Sequence, residues 1–191
     1  YGHDSLAALT ACHDLAVTLQ RTGAMLSLEE AVAFHQRALQ GRTQVLGDRH
    51  PLTLQSCGGL AAAHRALGDL WDAVPLLTRV LERREADLGR LHPDTLASCS
   101  ELAAVFQGMG RHQEALPLYR RAVDGREALC GPNHPDTLQA RSSLGAHLQL
   151  MGQLAEAEPV LREAMTGSEA KLGPTDPDTL TAVNNYAVLL K

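Results

Sequence analysis

The sequence predicts an all-α solenoid of stacked antiparallel helix pairs. Three observations predict it: an internal repeat of 42 residues, two apolar stripes of helical spacing in each repeat, and Gly and Pro at fixed phases. The repeat is marked by His50-Pro51-Leu52-Thr53-Leu54, His92-Pro93-Asp94-Thr95-Leu96, His134-Pro135-Asp136-Thr137-Leu138 and Asp176-Pro177-Asp178-Thr179-Leu180, which begin 42 residues apart. The same period relates Gly68, Gly110 and Gly152, then Ala73, Ala115 and Ala157, then Pro75, Pro117 and Pro159, and finally Gly47, Gly89, Gly131 and Gly173. The 191 residues therefore divide into units at about 5–47, 48–89, 90–131 and 132–173 and a half unit at 174–191, all within one domain, 1–191.

The first unit departs from the pattern. Aligning Leu15 with Leu102 places Gly23 on Gly110 but leaves Ala31 three residues late relative to Ala115, which predicts a longer turn between its two helices. It has Ser5 and Leu6 where later units have His-Pro, as a leading repeat or a cut from a longer array would. In the later units the His-Pro pair predicts a helix start, with the imidazole as N-cap and Pro at the first helical position; Asp176 takes the capping place in the last unit. In the third unit Leu96, Cys99, Leu102, Ala103 and Phe106 trace the stripe of a first helix ending near Gly110. Ala115, Leu118, Tyr119, Ala122, Val123, Leu129 and Cys130 trace a second, ending at Gly131, with Pro117 about a turn inside its start. The final 16 residues supply a first helix without its partner, which predicts an uncovered apolar face at Val183, Tyr186, Ala187 and Leu190.

Composition narrows the function. With 17 Lys and Arg against 22 Asp and Glu, a net charge of −5 and 3% aromatics, the chain lacks the basic surface and stacking platforms that nucleic acids need. No apolar run approaches the ~18 residues of a membrane span, so insertion into a membrane is not expected. Tyr1-Gly2-His3-Asp4 has neither a basic nor an apolar leader region, and a chain that begins with Tyr reads as part of a longer one.

The placement of Leu102-Ala103, Gly110, Ala115, Tyr119 and Ala122 on two helices resembles the tetratricopeptide repeat (TPR) signature. The 42-residue length, the His-Pro-Asp start, the Glu114-Ala115-Leu116-Pro117-Leu118 run and the Arg126-Glu127-Ala128 exit resemble the kinesin light chain and nephrocystin-like type of that repeat. This resemblance, which covers essentially the whole chain, implies a right-handed superhelix whose first helices line a concave groove. It further implies paired Asn on the groove side, matched at Asn184-Asn185; the equivalent pairs are His13-Asp14, Gly58-Gly59, Ser100-Glu101 and Ser142-Ser143.

Positions of the first helices left free by the core stripe are then the expected groove residues. They are His13 and Gln20 in the first unit, Gln55 and Arg65 in the second, and Ser100 and Gln107 in the third. Gln139, Ser142 and Gln149 follow in the fourth, and Asn184 and Asn185 in the half unit. The set is small, polar and nearly neutral, which favours a peptide or partner helix over a strongly charged ligand. The expected function is thus a non-enzymatic protein-interaction scaffold. The alternative is a structural subunit or self-associating array that uses its ends or convex face; a regulatory array joined to a signalling or ATPase domain is a third reading.

No metal or other cofactor is expected. Cys12, Cys57 and Cys99 share a phase at which later units carry Arg141 and Val183, and Cys130 stands where others have Leu, so it reads as a small buried apolar residue. There is no CxxC pair, and scattered thiols suit a reducing, intracellular and cytoplasmic setting. The capping His residues lie on helices too far apart to share one ion. His64, in the place of Phe106, and His147, in the place of Val105, read as core or interface residues. Arg42, Arg84 and Arg126, with Glu85, Glu127 and Glu169, read as a solvated or inter-repeat charge ladder. No nucleophile-base grouping, GxxxxGK[ST] loop or GxGxxG motif is present, so no enzymatic activity is expected.

Overall fold

The computed structural model describes residues 5–190; Tyr1 to Asp4 and Lys191, the last residue of the half unit, lie outside it. Among the described residues there are nine α-helices and no strand. The chain divides into two compact units, Tyr1–Asp87 and Leu88–Lys191. In the first, α1 (Leu6–Thr22) pairs with α2 (Met25–Leu46), and α3 (Pro51–Leu67) is followed by α4 (Leu70–Leu88). In the second, α5 (Pro93–Gly108) pairs with α6 (His112–Cys130), α7 (Pro135–Leu150) with α8 (Leu154–Leu172), and α9 (Pro177–Leu189) packs on both α7 and α8.

The helix starts follow the sequence reading. Nδ1 of His50, His92 and His134 accepts the backbone N–H of Leu52, Asp94 and Asp136, each at 3.2 Å, and Asp176 Oδ1 accepts that of Asp178 at 2.9 Å. An accepting Nδ1 carries no proton, so the capping imidazole is the neutral form with its hydrogen on Nε2. Three residues past the cap, the buried Thr53 and Thr137 hydroxyls donate to the Gly47 and Gly131 carbonyls at 2.9 Å, tying each helix start to the loop before it. Past α3 and α5, Gly68 and Gly110 take φ of 89° and 71°, a left-handed conformation that a side chain would strain.

The longer turn expected in the first unit is not seen. Only Gly23 and Ala24 separate α1 from α2; the added residues lengthen α2 itself to 22 residues, against 19 in α4, α6 and α8. Extra backbone kept helical retains its hydrogen bonds, whereas a longer loop would have to find other partners. The second stripe also ends sooner than expected. Ala115, Tyr119, Ala122 and Val123 are buried, but Leu129 and Cys130 are exposed because the last turn of α6 extends past the helix it packs on. Cys57 and Cys99 are fully buried as apolar residues, while Cys12 is half-buried.

The first unit has a polar heart where α1, α2 and α3 meet. Arg42, read from sequence as one rung of a solvated or inter-repeat charge ladder, is only 1% exposed and bonds across to the next repeat. Its guanidinium donates to the Leu52 carbonyl (2.9 Å), Ser56 Oγ (2.8 Å) and Gln55 Oε1 (3.4 Å) on α3, and to Thr10 Oγ1 (3.2 Å) on α1. Position alone cannot distinguish a solvated arginine from one whose acceptors are supplied by two neighbouring helices. Beside it His35 occupies the core place held by Leu77, Tyr119 and Leu161 in the other second helices. Its Nε2–H donates to Gln20 Oε1 (3.1 Å), and the Gln20 amide donates to the Gly59 carbonyl (3.3 Å). A Cβ at Gly59 would collide with the His35 ring, so this glycine makes room for the imidazole. His13 packs edge-on against His35 with ring centroids 5.0 Å apart.

Two predictions follow from these contacts. His134→Ala removes a cap acceptor and lowers stability by about 1 kcal/mol in urea unfolding, whereas His134→Asp, which imitates Asp176, retains it. The second concerns acid. Burial, then the charges of His13 and Arg42, holds His35 down to about 4 from 6.5, and burial followed by Arg42 lowers His13; Asp14 is the acid that opposes this at His13 and at Arg42. Depressed folded-state values for histidine mean stability that is complete above 6.5 and is lost as the pH falls toward 4. Between pH 6.5 and about pH 5 the His35 contribution falls by roughly 2 kcal/mol. His35→Leu, the residue of the equivalent Leu77 and Leu161, should flatten that part of the unfolding free energy against pH; an unchanged slope would remove the assignment.

Candidate functional site

The first helices are buried over a wide arc: α1 lies against α2 and α3, α5 against α6, and α7 against α6, α8 and α9. In α5 the buried residues are Thr95, Leu96, Ser98, Cys99, Leu102, Ala103, Val105 and Phe106, leaving a narrow strip for solvent or a ligand. The expected groove residues distribute unevenly over that strip.

Within the compact part Tyr1–Asp87, Gln55 and Arg65 are exposed, but Gln55 also takes part in the Arg42 network. His13 is 5% exposed and does not face open space, because its ring packs edge-on against that of His35, which itself lies against Gly59. Gln20 is half-buried and occupied with His35 and Gly59.

Within the compact part Leu88–Lys191, Gln107 is likewise engaged, its side-chain amide 2.9 Å from Nδ1 of the buried His147. Nε2–H of His147 donates to the His112 carbonyl (3.3 Å), and the ring packs at a tilt of 49° to His112 and 46° to Tyr119. Burial holds this imidazole below its ordinary value, so it is a neutral core group, as its phase suggests. Ser100 is half-buried, its hydroxyl donating to the Leu96 carbonyl and accepting from Arg126 at 3.5 Å. Gln149 is half-buried and Asn184 is exposed.

Three of the expected residues do come together. Gln139 and Ser142 on α7 and Asn185 on α9 line one cleft of about 300 Å³, with Leu138 and Ser168 at its inner side and Ser143, Asp178 and Thr181 at its rim. Ser142 is 6% exposed and accepts from Asn185 Nδ2 at 2.9 Å, which fixes the amide and leaves its oxygen available. Ser143 and Thr181 donate to carbonyls one turn back, at Gln139 and Pro177, so their lone pairs remain open to a donor. Ser143 belongs to a pair that the resemblance places on the groove side, and Thr181 shares the groove phase of Gln139; Asp178 was read from sequence only as part of the helix-start motif.

The cleft is lined by one carboxylate, four hydroxyls and two side-chain amides, polar groups that pair with a peptide backbone or a polar side chain. A second cleft, of about 530 Å³, lies at the start of α7 and along α8. It centres on Arg141, which pairs with Glu127 at 2.8 Å and Glu163 at 3.2 Å and is 13% exposed. No helix among the described residues is long and apolar enough to cross a membrane.

Comparison with known proteins agrees with this geometry. Among solved structures, the TPR-like repeats assigned to a kinesin light chain of Podosopora anserina are similar over 97% of this chain and 86% of theirs, at 29% identity and a TM-score of 0.82. BtubC of P. vanneervenii is similar in fold over 96% of this chain and 72% of its own, at 19% identity and a TM-score of 0.80. YrrB, a TPR protein with an unusual peptide-binding site, shares the fold over 93% of this chain and 84% of its own, at 18% identity and a TM-score of 0.53. No curated protein matches the sequence. The Tetratricopeptide repeat family matches residues 24–86 and 94–170, and proteins built from this repeat are in general protein-interaction scaffolds without catalytic activity. The chain is an all-α TPR solenoid of the kinesin light chain-like type and belongs to the tetratricopeptide repeat family.

Proposed function

We propose that the protein is a non-enzymatic scaffold, a single array over 1–191, that holds an extended or helical segment of a partner protein along its first-helix face. The α7–α9 cleft carries this reading. It offers Gln139, Ser142, Ser143, Thr181 and Asn185 as neutral donors and acceptors beside an apolar floor at Leu138. A groove of this kind binds main chain through paired hydrogen bonds and leaves specificity to the side chains that reach the floor. Asp178 favours a donor or a basic group at the α9 end. The thiol of Cys57, reduced and buried in the core, suits a reducing cytoplasmic setting.

A displayed peptide library selected on the purified chain tests the groove. Selected peptides should lose at least tenfold in affinity for the Gln139→Glu, Thr181→Glu double variant and bind the convex-face variant Arg162→Glu unchanged. Sensitivity to Arg162 with indifference to the groove pair would reverse the assignment.

One observation favours association through an end as a second reading. Leu15 is 44% exposed, whereas its equivalents Leu60, Leu102 and Leu144 are 4%, 4% and 7% exposed. Light scattering over a dilution series would then show a reversible oligomer that Leu15→Gln disperses; a monomer at every concentration rules this reading out.

A further inference from the structure

We propose that His64, Asp69 and Asp72 bind one divalent transition-metal ion, Zn2+ before others, at the turn joining α3 to α4. His64 stands in the last turn of α3, Asp69 in the connection and Asp72 in the first turn of α4. One donor atom from each lies within 4.8 Å of the others. The backbone holds the three in place, with the Asp69 N–H donating to the His64 carbonyl at 2.9 Å and the Asp72 N–H to that of Asp69 at 3.2 Å.

Comparison with the same phase in the next units shows what is missing here. The third unit has Phe106, Arg111 and Glu114 at these places. The Arg111 guanidinium lies 4.7 Å over the Phe106 ring and donates twice to Glu114, at 2.6 Å each. The fourth unit has Leu148, Gln153 and Glu156, and Glu156 receives Arg120 at 2.6 Å. In both the third and the fourth unit a guanidinium thus meets the acid at the third place, from within the unit at Glu114 and from the preceding unit at Glu156. In the second unit the Arg111 position has become Asp69, and among the described residues no Lys or Arg pairs with Asp69 or Asp72. Two carboxylates are left without a countercharge.

At the Phe106 position the change is to an imidazole that is 14% exposed. Its Nδ1 is buried without a hydrogen-bond partner and lies 3.7 Å from Asp69 Oδ2. The start of α4 explains why carboxylates are tolerated at Asp69 and Asp72, because a helix N-terminus favours negative charge. It does not explain an unpaired ring nitrogen turned toward them. One nitrogen and two carboxylate oxygens form a donor set that Zn2+ accepts at about 2.0–2.2 Å, with water as the fourth ligand. Tetrahedral bonds of that length set the donors about 3.4 Å apart, so the exposed carboxylates need to swing inward by on the order of 1 Å.

The test uses ZnCl2 alone, titrated calorimetrically into the whole chain at neutral pH, with Co2+ absorption to report the ligand field. The wild type is expected to bind one Zn2+ and to gain in Tm. The His64→Phe, Asp69→Arg variant, which restores the residues of the third unit and so keeps the fold, should bind at least tenfold more weakly and lose the gain in Tm. Asp72→Asn should do the same. Equal affinity in wild type and variants, which would place the ion on other histidines, or no binding by the wild type at about 1 mM Zn2+, would overturn the proposal.

Discussion

The hairpins depend on a leucine of the first helix resting directly on a glycine of the second. Leu9 meets Gly41, Leu96 meets Gly125 and Leu138 meets Gly167, and a Cβ at any of these glycines would collide with the leucine. The three leucines are at most 1% exposed. Close approach at this point suits small residues at the remaining positions of both helices, and Ala16, Ala38, Ala103, Ala122 and Ala164 are fully buried. The α3–α4 hairpin is the exception. There the same phase holds Arg83, Leu54 is 6% exposed, and Arg83 with Arg79 reaches Asp48 in the loop before α3. An ion pair stands in for part of the apolar contact that the other hairpins have.

Repetition explains what could be read from sequence. A contact made four times must be made by residues at one phase, so Pro at the first helical position, the His or Asp cap and Gly past the helix end identified the elements before any geometry was known. The buried Thr53 and Thr137 belong to the same regular set, although their role became visible only with the Gly47 and Gly131 carbonyls in place. Phase carries no information about neighbours that change from unit to unit. Arg42 and Arg126 share a phase, yet Arg42 finds four acceptors on two helices, whereas Arg126 reaches Ser100 at 3.5 Å. His13 likewise occupies a groove position by number and a buried position in fact, because its ring packs against His35, for which Gly59 makes room.

The candidate groove was legible in the same partial way. Periodicity marked on each first helix a face expected to lie outside the core stripe, although His13 and Ser142 on that face are buried. It could not show that Gln20 and Gln107 turn back to satisfy His35 and His147, since a glutamine reaches either a ligand or a buried donor from one backbone position. Both histidines sit in the core as neutral rings, and each needs a polar neighbour to offset the cost of burial. The amides that serve them are drawn from the groove strip, which leaves fewer free side chains there than the pattern suggests and concentrates them in the α7–α9 cleft.

Departures from the repeat are therefore where individual character resides. A substitution at a regular phase that only altered packing would be answered by a change in volume nearby, as Gly59 answers His35. The replacement of Phe106, Arg111 and Glu114 by His64, Asp69 and Asp72 is different in kind, because it changes the charge of one turn without a compensating cation among the described residues. Surface carboxylates at a helix start are inexpensive, so charge alone would not single out this turn. The coincidence of the lost guanidinium with a new, inward-turned imidazole at the third corner does. Equivalent positions within one chain share backbone geometry and solvent access, which makes the later units an internal control for the chemistry of the second.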